Sequence, residues 1–223
     1  MEAERTAGFR SQEKVAMFID GESLRLTART LGFDIDYALL LSAFRNTGAL
    51  LRAFYYATII ENPEQFSSLR PLLDWLDYNG YSVVAKAGRE VVDAGGMRKT
   101  KSSIAIELAV DAMEFAPLVG HMILFSGDGD LRPLVKAVQR RGVRVTVVSS
   151  IVTQPAMVAD DLRRQADAFM DLHDLRSAIA RRERADIQVQ RGNRRDGIES
   201  LARRRSVVYR PTNGDMEVQT PEE

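Results

Sequence analysis

Two apolar segments of this sequence, residues 15–19 and 122–125, stop abruptly at acidic residues and glycines. The carboxylates that follow them are Asp20, Glu22, Asp128 and Asp130. In an open α/β sheet, ligands bind beyond the carboxyl ends of the strands. Carboxylates gathered at such an edge repel one another unless a cation lies between them. The spacing therefore predicts a divalent-metal site suited to phosphate chemistry.

The chemistry of such a site follows from its ligands. Hard divalent cations prefer oxygen ligands, and Mg²⁺ binds one or two carboxylates while it keeps several waters. A bound cation can polarise a phosphoryl oxygen or activate water. A lone aspartate at a strand end is more often a turn residue or a helix cap, and Asp130 alone would be interpreted in that way. Two acidic strand ends in one small domain favour a functional pocket.

The composition limits the other classes of function. The chain has 223 residues, 45% of them hydrophobic and 28% charged, with a formal net charge of zero and no cysteine. These values are typical of a globular domain, and they exclude disulfides, thiolate zinc sites and cysteine nucleophiles. The two histidines, His121 and His173, lack the spacing of metal ligands. With no signal peptide and no membrane-spanning apolar run, we expect a cytoplasmic protein without membrane contact.

Strand-like and helix-like segments alternate along most of the chain. The strand-like segments are residues 15–19, 50–58, 81–87, 122–125 and 143–148, with a weaker one at 168–172. The helical segments between them are 24–31, 62–79, 104–115 and 131–141. Glycines 32, 80 and 142 are placed to end three of these helices, and the predicted caps are Asn62 with Pro63 and Gln65, Ser102 or Ser103, and Asp130. This alternation predicts an α/β fold with a mostly parallel sheet and helices on both faces.

The ends of the chain have a different character. Residues 1–13 are polar and predict a loose terminus, residues 14–175 form the domain, and residues 176–223 predict a flexible tail. Residues 178–210 contain ten arginines and four acidic residues. They suit either an arm that contacts RNA or a solubilising tail. Gly95 and Gly96 predict a loop or a hairpin tip before a basic run, 98–101.

Two further carboxylates lie on one predicted helix. Glu107 and Asp111 are four residues apart and therefore share a helix face. Either one of them leans over the acidic crevice, or both form a solvated polar edge.

Eight stretches of this sequence together form a known pattern: residues 18–21, 31–37, 52–56, 73–81, 107–111, 126–130, 140–149 and 157–167. They resemble the NYN domain, a PIN-like ribonuclease family, in its bacterial LabA-like branch. The resemblance implies a PIN-like central parallel sheet of order 3-2-1-4-5 between helices. It also implies a ribonuclease dependent on Mg²⁺ or Mn²⁺, with Asp20, Asp128 and Asp130 as metal ligands and Asp111 as a catalytic acid of the helix.

Three positions depart from the family pattern. Ser23 stands where the family has asparagine, Ala105 where it has an aspartate of the metal site, and Leu131 where it has phenylalanine. Two explanations remain open: either Glu22 or Glu107 compensates for the lost carboxylate, or the chain is a catalytically weak relative that binds RNA or a protein. A phosphatase is the least favoured alternative, because the expected lysine after the fourth strand has no counterpart except Lys136.

RNA is the partner that the resemblance implies. The candidate contacts to its backbone are Lys99, Lys101 and Arg132, and the Ser126 hydroxyl could donate to a phosphate oxygen. Arg132 lies in the first turn of a predicted helix whose N-terminus faces the site, which suits a phosphate contact. The sequence leaves the oligomeric state open, with a homodimer as one alternative.

Overall fold

A computed structural model describes residues 13–46, 48–60, 69–92, 98–101 and 104–181. The chain divides after Arg181 into two units, Met1–Arg181 and Arg182–Glu223. The second unit lies outside the described residues, as do the predicted loose N-terminus up to residue 12, the Gly95-Gly96 turn and the proposed caps at 62–65 and 102–103.

A seven-stranded sheet forms the centre of the first unit. Its strands are β1 (Lys14–Asp20), β2 (Ala49–Ile60), β3 (Ser82–Val92), β4 (Arg98–Lys101), β5 (His121–Phe125), β6 (Arg144–Ser149) and β7 (Ala168–Asp171). They are ordered β4-β3-β2-β1-β5-β6-β7. All neighbouring pairs are parallel except β3 and β4, which are antiparallel. Strand β1 is central, so the direction of the connections reverses beside it.

Helices follow most of the strands. They are α1 (Gly21–Thr30), α2 (Tyr37–Arg45), α3 (Arg70–Tyr78), α4 (Ala105–Phe115), α5 (Arg132–Gln139), α6 (Asp160–Gln165) and α7 (Leu172–Ile179), with single 3₁₀ turns at Ala116–Leu118 and Gly129–Leu131. Among the described residues, no helix is long and apolar enough to cross a bilayer.

Two apolar layers pack the helices onto the sheet. One face of the sheet packs against α1, α2, α3 and α7 through residues such as Leu24, Leu40, Leu76 and Leu175. The other face packs against α4, α5 and α6 through residues such as Leu108, Val135 and Leu162. Side chains of β1 alternate between the two layers, as they must in a pleated strand that is covered on both faces.

The predicted α/β fold, with its parallel order 3-2-1-4-5, is confirmed. The weaker segment at 168–172 adds a sixth parallel strand, β7, and the basic run at 98–101 pairs with β3 as an antiparallel edge strand. The three predicted terminating glycines all have positive φ, between 75° and 92°. Glycine adopts these φ values without steric cost because it has no Cβ.

Two predicted helix starts differ from the structure. Helix α1 begins at Gly21, three residues earlier than predicted, because the Asp20 carboxylate caps it. Helix α3 begins at Arg70 with Pro71 in its first turn, and the predicted start near Asn62 lies outside the described residues. The prediction that Asp130 is a cap is wrong: Asp128 accepts a hydrogen bond from the Asp130 amide and caps the 3₁₀ turn before α5.

Candidate active site at the carboxyl edge of the sheet

The candidate site lies where β1 and β5 end side by side. Ile19 pairs with Phe125 in the parallel register, so the residues that follow, Asp20 and Ser126, leave the sheet together. On the other side of β1, Asp20 pairs with Tyr56 of β2. The strand order reverses at β1, which is the position where open α/β sheets form a crevice for ligands.

Asp20 is the best-defined carboxylate of this crevice. Its Oδ1 accepts hydrogen bonds from the amides of Glu22 and Ser23, both at 3.1 Å, and thereby caps α1. Its Oδ2 accepts a bond of 3.3 Å from the Ser126 hydroxyl. Burial raises the pKa of Asp20, against the lowering effect of the three hydrogen bonds, and the neighbouring charge of Glu22 raises it further. The fold thus holds a desolvated carboxylate with a fixed orientation.

Two serines connect the two strand ends. The Ser126 side chain is buried, donates to Asp20 and accepts from the Asp128 amide at 3.2 Å. Ser23 Oγ accepts a bond of 3.1 Å from the Gly127 amide. The residue that replaces the family asparagine therefore fastens α1 to the loop after β5. Ser126 organises the crevice from within, so the structure does not present it as an exposed RNA contact.

The loop after β5 carries the other two predicted metal ligands. Asp128 and Asp130 are both exposed, and Asp128 Oδ1 accepts from the Asp130 amide at 2.9 Å. Asp130 also lies at the rim of a groove of about 960 Å³ between α4 and α5, which Ala105 lines as well. These carboxylates face solvent, whereas Asp20 is largely enclosed.

Close backbone packing fixes this loop. A Cβ on Gly127 would collide with the Met157 carbonyl, and the Ala159 amide donates to the Gly127 carbonyl at 2.9 Å. A Cβ on Gly21 would overlap the Tyr55 ring. Glycine is thus required at both positions by the space available, and the two acidic strand ends keep a defined geometry.

The two acids of α4 contact residues of β2 and β3. Asp111 Oδ2 accepts a bond of 2.9 Å from the Tyr56 hydroxyl. Glu107 forms an ion pair of 2.7 Å with Lys86, which lowers the pKa of Glu107. Glu22, by contrast, lies close enough to Asp20 to affect its pKa. Of the two suggested compensating acids, Glu22 is therefore the one with a described electrostatic link to Asp20.

The fit of a divalent cation to this edge can be judged from the donor groups. Among the described residues, no three acidic or histidine side chains lie close enough together to hold a metal. A hydrated Mg²⁺ needs only one or two carboxylates, because it keeps several of its waters. Asp20 is a desolvated anion, and a cation beside it would favour its charged form. Asp20 is the carboxylate that would hold such an ion, and a direct share of Asp128 and Asp130 in its binding stays a prediction.

The predicted basic contacts are only partly visible. Lys99 and Lys101 lie in the edge strand β4, and their side chains are outside the described part of the structure. Arg132 is exposed at the first residue of α5, as expected for a contact at that helix end.

Sequence reasoning missed several residues next to the crevice. Asp161 of α6 has its Oδ1 3.3 Å from the position of a Cβ on Gly129, so another carboxylate borders the acidic loop. Tyr55 contacts Gly21, and its hydroxyl is 3.3 Å from that of Tyr37. Asp161 was missed because it does not directly follow a strand. The tyrosines were missed because they resemble ordinary core residues. The one available signal was the cluster of aromatic residues at 54–56.

The comparisons with known proteins agree with the fold. The model of the NYN domain family matches residues 14–174, and the chain therefore belongs to the NYN domain family. This family generally has a ribonuclease-like fold.

A relative of this chain supports the LabA-like branch. The chain is 29% identical over 177 residues to the low amplitude and bright protein LabA of Synechococcus elongatus, covering 78% of this chain and 91% of LabA. Among solved structures, a protein of unknown function from Vibrio parahaemolyticus, VPA0982, matches with a TM-score of 0.59 and 27% identity. That match covers 72% of this chain and 93% of the other.

Proposed function

We propose that this NYN domain hydrolyses RNA phosphodiester bonds with the help of Mg²⁺ or Mn²⁺. The observation that carries the proposal is the half-buried carboxylate of Asp20, fixed by three hydrogen bonds at the point where the strand order reverses. A desolvated charge at this position destabilises the fold. Titratable groups that lie in a cleft and have perturbed pKa values are found preferentially at functional sites. The activity is assigned to residues 14–175, with the arginine-rich residues 176–223 as an additional RNA-contacting arm.

The residues of the crevice have different roles in the proposed reaction. When bound, the cation would polarise the phosphoryl group and supply an activated water. Asp20 orients the site, because two backbone amides and Ser126 hold its carboxylate in one position. Exposed Asp128 and Asp130 accept hydrogen bonds from water at the open side of the crevice, and Asp111 is held by Tyr56 on the neighbouring strand. Arg132 neutralises a backbone phosphate.

Cleavage of end-labelled single-stranded RNA with Mn²⁺, Mg²⁺ or EDTA tests the proposal. The native chain is compared with Asp20→Asn and Asp128→Asn. Asparagine caps helices about as well as aspartate, so Asp20→Asn removes the charge and keeps the cap. Asp36→Asn is the matched control, because Asp36 caps α2 through the amides of Ala38 and Leu39 in the same way.

We expect metal-dependent cleavage that Asp36→Asn retains. Both site variants should lose it by about 100-fold or more, as is common when a metal site loses a supporting group. Cleavage that persists in Asp20→Asn, or that resists EDTA, would contradict the proposed site.

A weak or inactive domain that binds RNA or a protein is the second candidate. The observation that favours it is Ala105, a side chain without ligand atoms where the family has an aspartate, together with the lack of a three-acid group among the described residues. The double variant Ser23→Asn with Ala105→Asp restores the family residues. A large gain in metal-dependent cleavage on restoration would support a decayed site, whereas an unchanged rate would count against this candidate.

A further inference from the structure

A second cavity, of about 430 Å³, lies on the other face of the sheet between α1, the segment before α2, and α3. Its charged lining consists of Arg25, Arg29, Arg181 and one carboxylate, Asp34. Its apolar wall includes Tyr37. A cavity of this size falls within the range of ligand pockets, and a polar rim over an apolar wall is their usual composition.

The cavity adjoins the crevice through a short chain of contacts. Arg25 Nε donates a bond of 3.0 Å to the carbonyl of Gly21, the residue after Asp20. Tyr37 in the cavity wall contacts Tyr55 through the two hydroxyls, 3.3 Å apart. Tyr55 in turn packs against Gly21. Both contacts lead from the cavity lining to Gly21, the residue bonded to the Asp20 that we assign to the reaction.

The positive charge of the cavity is not neutralised by described neighbours. None of Arg25, Arg29 and Arg181 forms an ion pair with a carboxylate among the residues that the structure describes. Three guanidinium groups against the single carboxylate of Asp34 leave an excess of positive charge. Arginine is well suited to phosphate, because its planar fork donates two parallel hydrogen bonds.

The fold also fixes the position of the third arginine. The Arg181 amide donates to the Asp34 carbonyl at 2.8 Å, and the Asp36 amide donates to the Ile179 carbonyl at 2.8 Å. These bonds fasten the end of α7 to the segment before α2. Arg181 is thereby brought to the same cavity as Arg25 and Arg29, although more than 150 positions separate it from them in the sequence.

We infer that this cavity is a phosphate-binding subsite for the RNA strand that extends beyond the cleavage point. The inference rests on the proposed function for the identity of the ligand, since RNA is the anion that the crevice would receive. Arg29 and Arg181 bind backbone phosphates, and Arg25 connects the subsite to the crevice. An RNA long enough to span both places is held more firmly than one that reaches only Asp20.

Binding without cleavage tests the subsite independently of the enzyme activity. The full chain is titrated, in EDTA, against a fluorescent 12-nucleotide single-stranded RNA at several salt concentrations. The variants are Arg29→Gln and Arg181→Gln, and the matched control is Arg140→Gln, an exposed arginine after α5. Thermal melting of each variant checks that it is folded.

We expect each subsite variant to weaken binding by about fivefold or more, as for a lost charge-assisted hydrogen bond. The slope of log Kd against log salt should fall by about 0.7 for each phosphate contact removed from a single strand. Arg140→Gln should bind as the native chain does. Wild-type affinity and slope in both subsite variants, or an equal loss in the control, would overturn the inference.

Two further competition measurements identify the ligand. A 5′-mononucleotide and inorganic phosphate are added as competitors, and displacement only at millimolar concentrations supports an extended strand as the ligand. Tight binding of the mononucleotide, sensitive to Arg29→Gln, with no RNA binding, would overturn the assignment to RNA. If the chain binds RNA at the cavity and cuts none, the subsite stands and the proposed hydrolysis fails.

Discussion

Asp20 combines a structural role with the chemical role that we propose for it. One carboxylate oxygen caps α1 through two amides, while the other accepts from Ser126. The cap stabilises the helix by about 1 kcal/mol, as N-caps usually do. Burial of the charge acts in the opposite direction, since desolvation is the largest cause of the raised pKa of Asp20. Holding this carboxylate in place therefore costs some stability, which fits the role that we propose for it.

Asp20→Asn should raise the stability of the protein at pH 7. Because the pKa of Asp20 is higher in the folded than in the unfolded chain, the native state binds its proton more tightly, and stability falls as pH rises through that window. Asparagine keeps the cap and removes the ionised group, so Asp20→Asn should be more stable than the native chain at neutral pH. Denaturant unfolding at pH 7 measures the difference.

The same comparison at low pH provides the internal check. Below the unfolded-state pKa, Asp20 is protonated in both states, and the advantage of Asp20→Asn should vanish. Asp36→Asn has the same type of cap and should show no gain at pH 7. A loss of stability in Asp20→Asn that is independent of pH would contradict the electrostatic account.

Gly127→Ala should destabilise the protein strongly. The new Cβ would collide with the Met157 carbonyl, which is backbone and cannot move aside as a flexible side chain could. We expect a loss of about 2–4 kcal/mol, against about 1 kcal/mol for Gly32→Ala, where φ is +75° and no atom lies within 4 Å. Denaturant unfolding measures both variants. Equal losses in their free energy of unfolding would show that the loop can move away from Met157.

At the scale of elements, a buried histidine joins β5 to β6. His121 is fully buried, and its Nε2 lies 2.8 Å from Thr146 Oγ1. Arg144 Nη2, which can only donate, lies 3.1 Å from Nδ1, so the imidazole is neutral and donates through Nε2. Burial, with the charge of Arg144, lowers the pKa of His121 to about 4. His121 is thus a buried connection between two strands.

This pairing predicts a loss of stability in weak acid. Between pH 6.5 and about 4, His121 binds a proton in the unfolded chain but not in the native protein. The free energy of unfolding therefore falls as the pH is lowered through that window. The shift corresponds to at most about 3 kcal/mol. Denaturant unfolding from pH 7.5 to 4.5 should show this slope, and His121→Gln should flatten it.

Nuclear magnetic resonance checks the assignment even if His121→Gln fails to fold. His173→Gln leaves one histidine, whose ring resonances should then not titrate between pH 7.5 and 5.5. A titration with a midpoint near 6.5 would contradict the buried neutral state.

The strands and helix ends were predictable because they are local. The apolar run of β1 and the glycines after α1, α3 and α5 determine their structures from neighbouring residues alone. The start of α1 was missed because Gly21 is a poor helix former, and the space beside Tyr55 that requires it is a tertiary feature. The same holds for the cavity around Arg25 and Arg181, which meet only through the contact of α7 with the segment before α2.

The convergence of Asp20 with the loop after β5 was predictable, but the exposure of each carboxylate was not. Strand order places Asp20 and Ser126 together, whereas local packing decides that Asp20 is enclosed while Asp128 and Asp130 face solvent. The spacing of acids in a sequence indicates an edge of the sheet. It does not determine how many oxygens reach one point.

At the scale of the whole molecule, the zero net charge conceals an uneven distribution. Residues 178–223 hold ten of the 31 basic and eight of the 31 acidic residues, and within them the bases precede residue 211. Residues 1–177 therefore carry 21 basic and 23 acidic residues. A slightly acidic domain does not attract RNA at long range, so local arginines must supply the attraction.

Removal of residues 182–223 should therefore weaken RNA binding without unfolding the domain. Residues up to Arg181 form one compact unit that keeps the sheet, both apolar layers and the crevice, so the melting temperature of the truncated chain should change by only a few degrees. The nine arginines lost with the segment should reduce affinity for single-stranded RNA by about tenfold or more and lower the slope against salt. A variant with its last 13 residues removed loses four acids and no base, and it should bind at least as tightly as the native chain. If both truncations bind alike, the arginine-rich segment serves another purpose, and RNA recognition belongs to the folded domain alone.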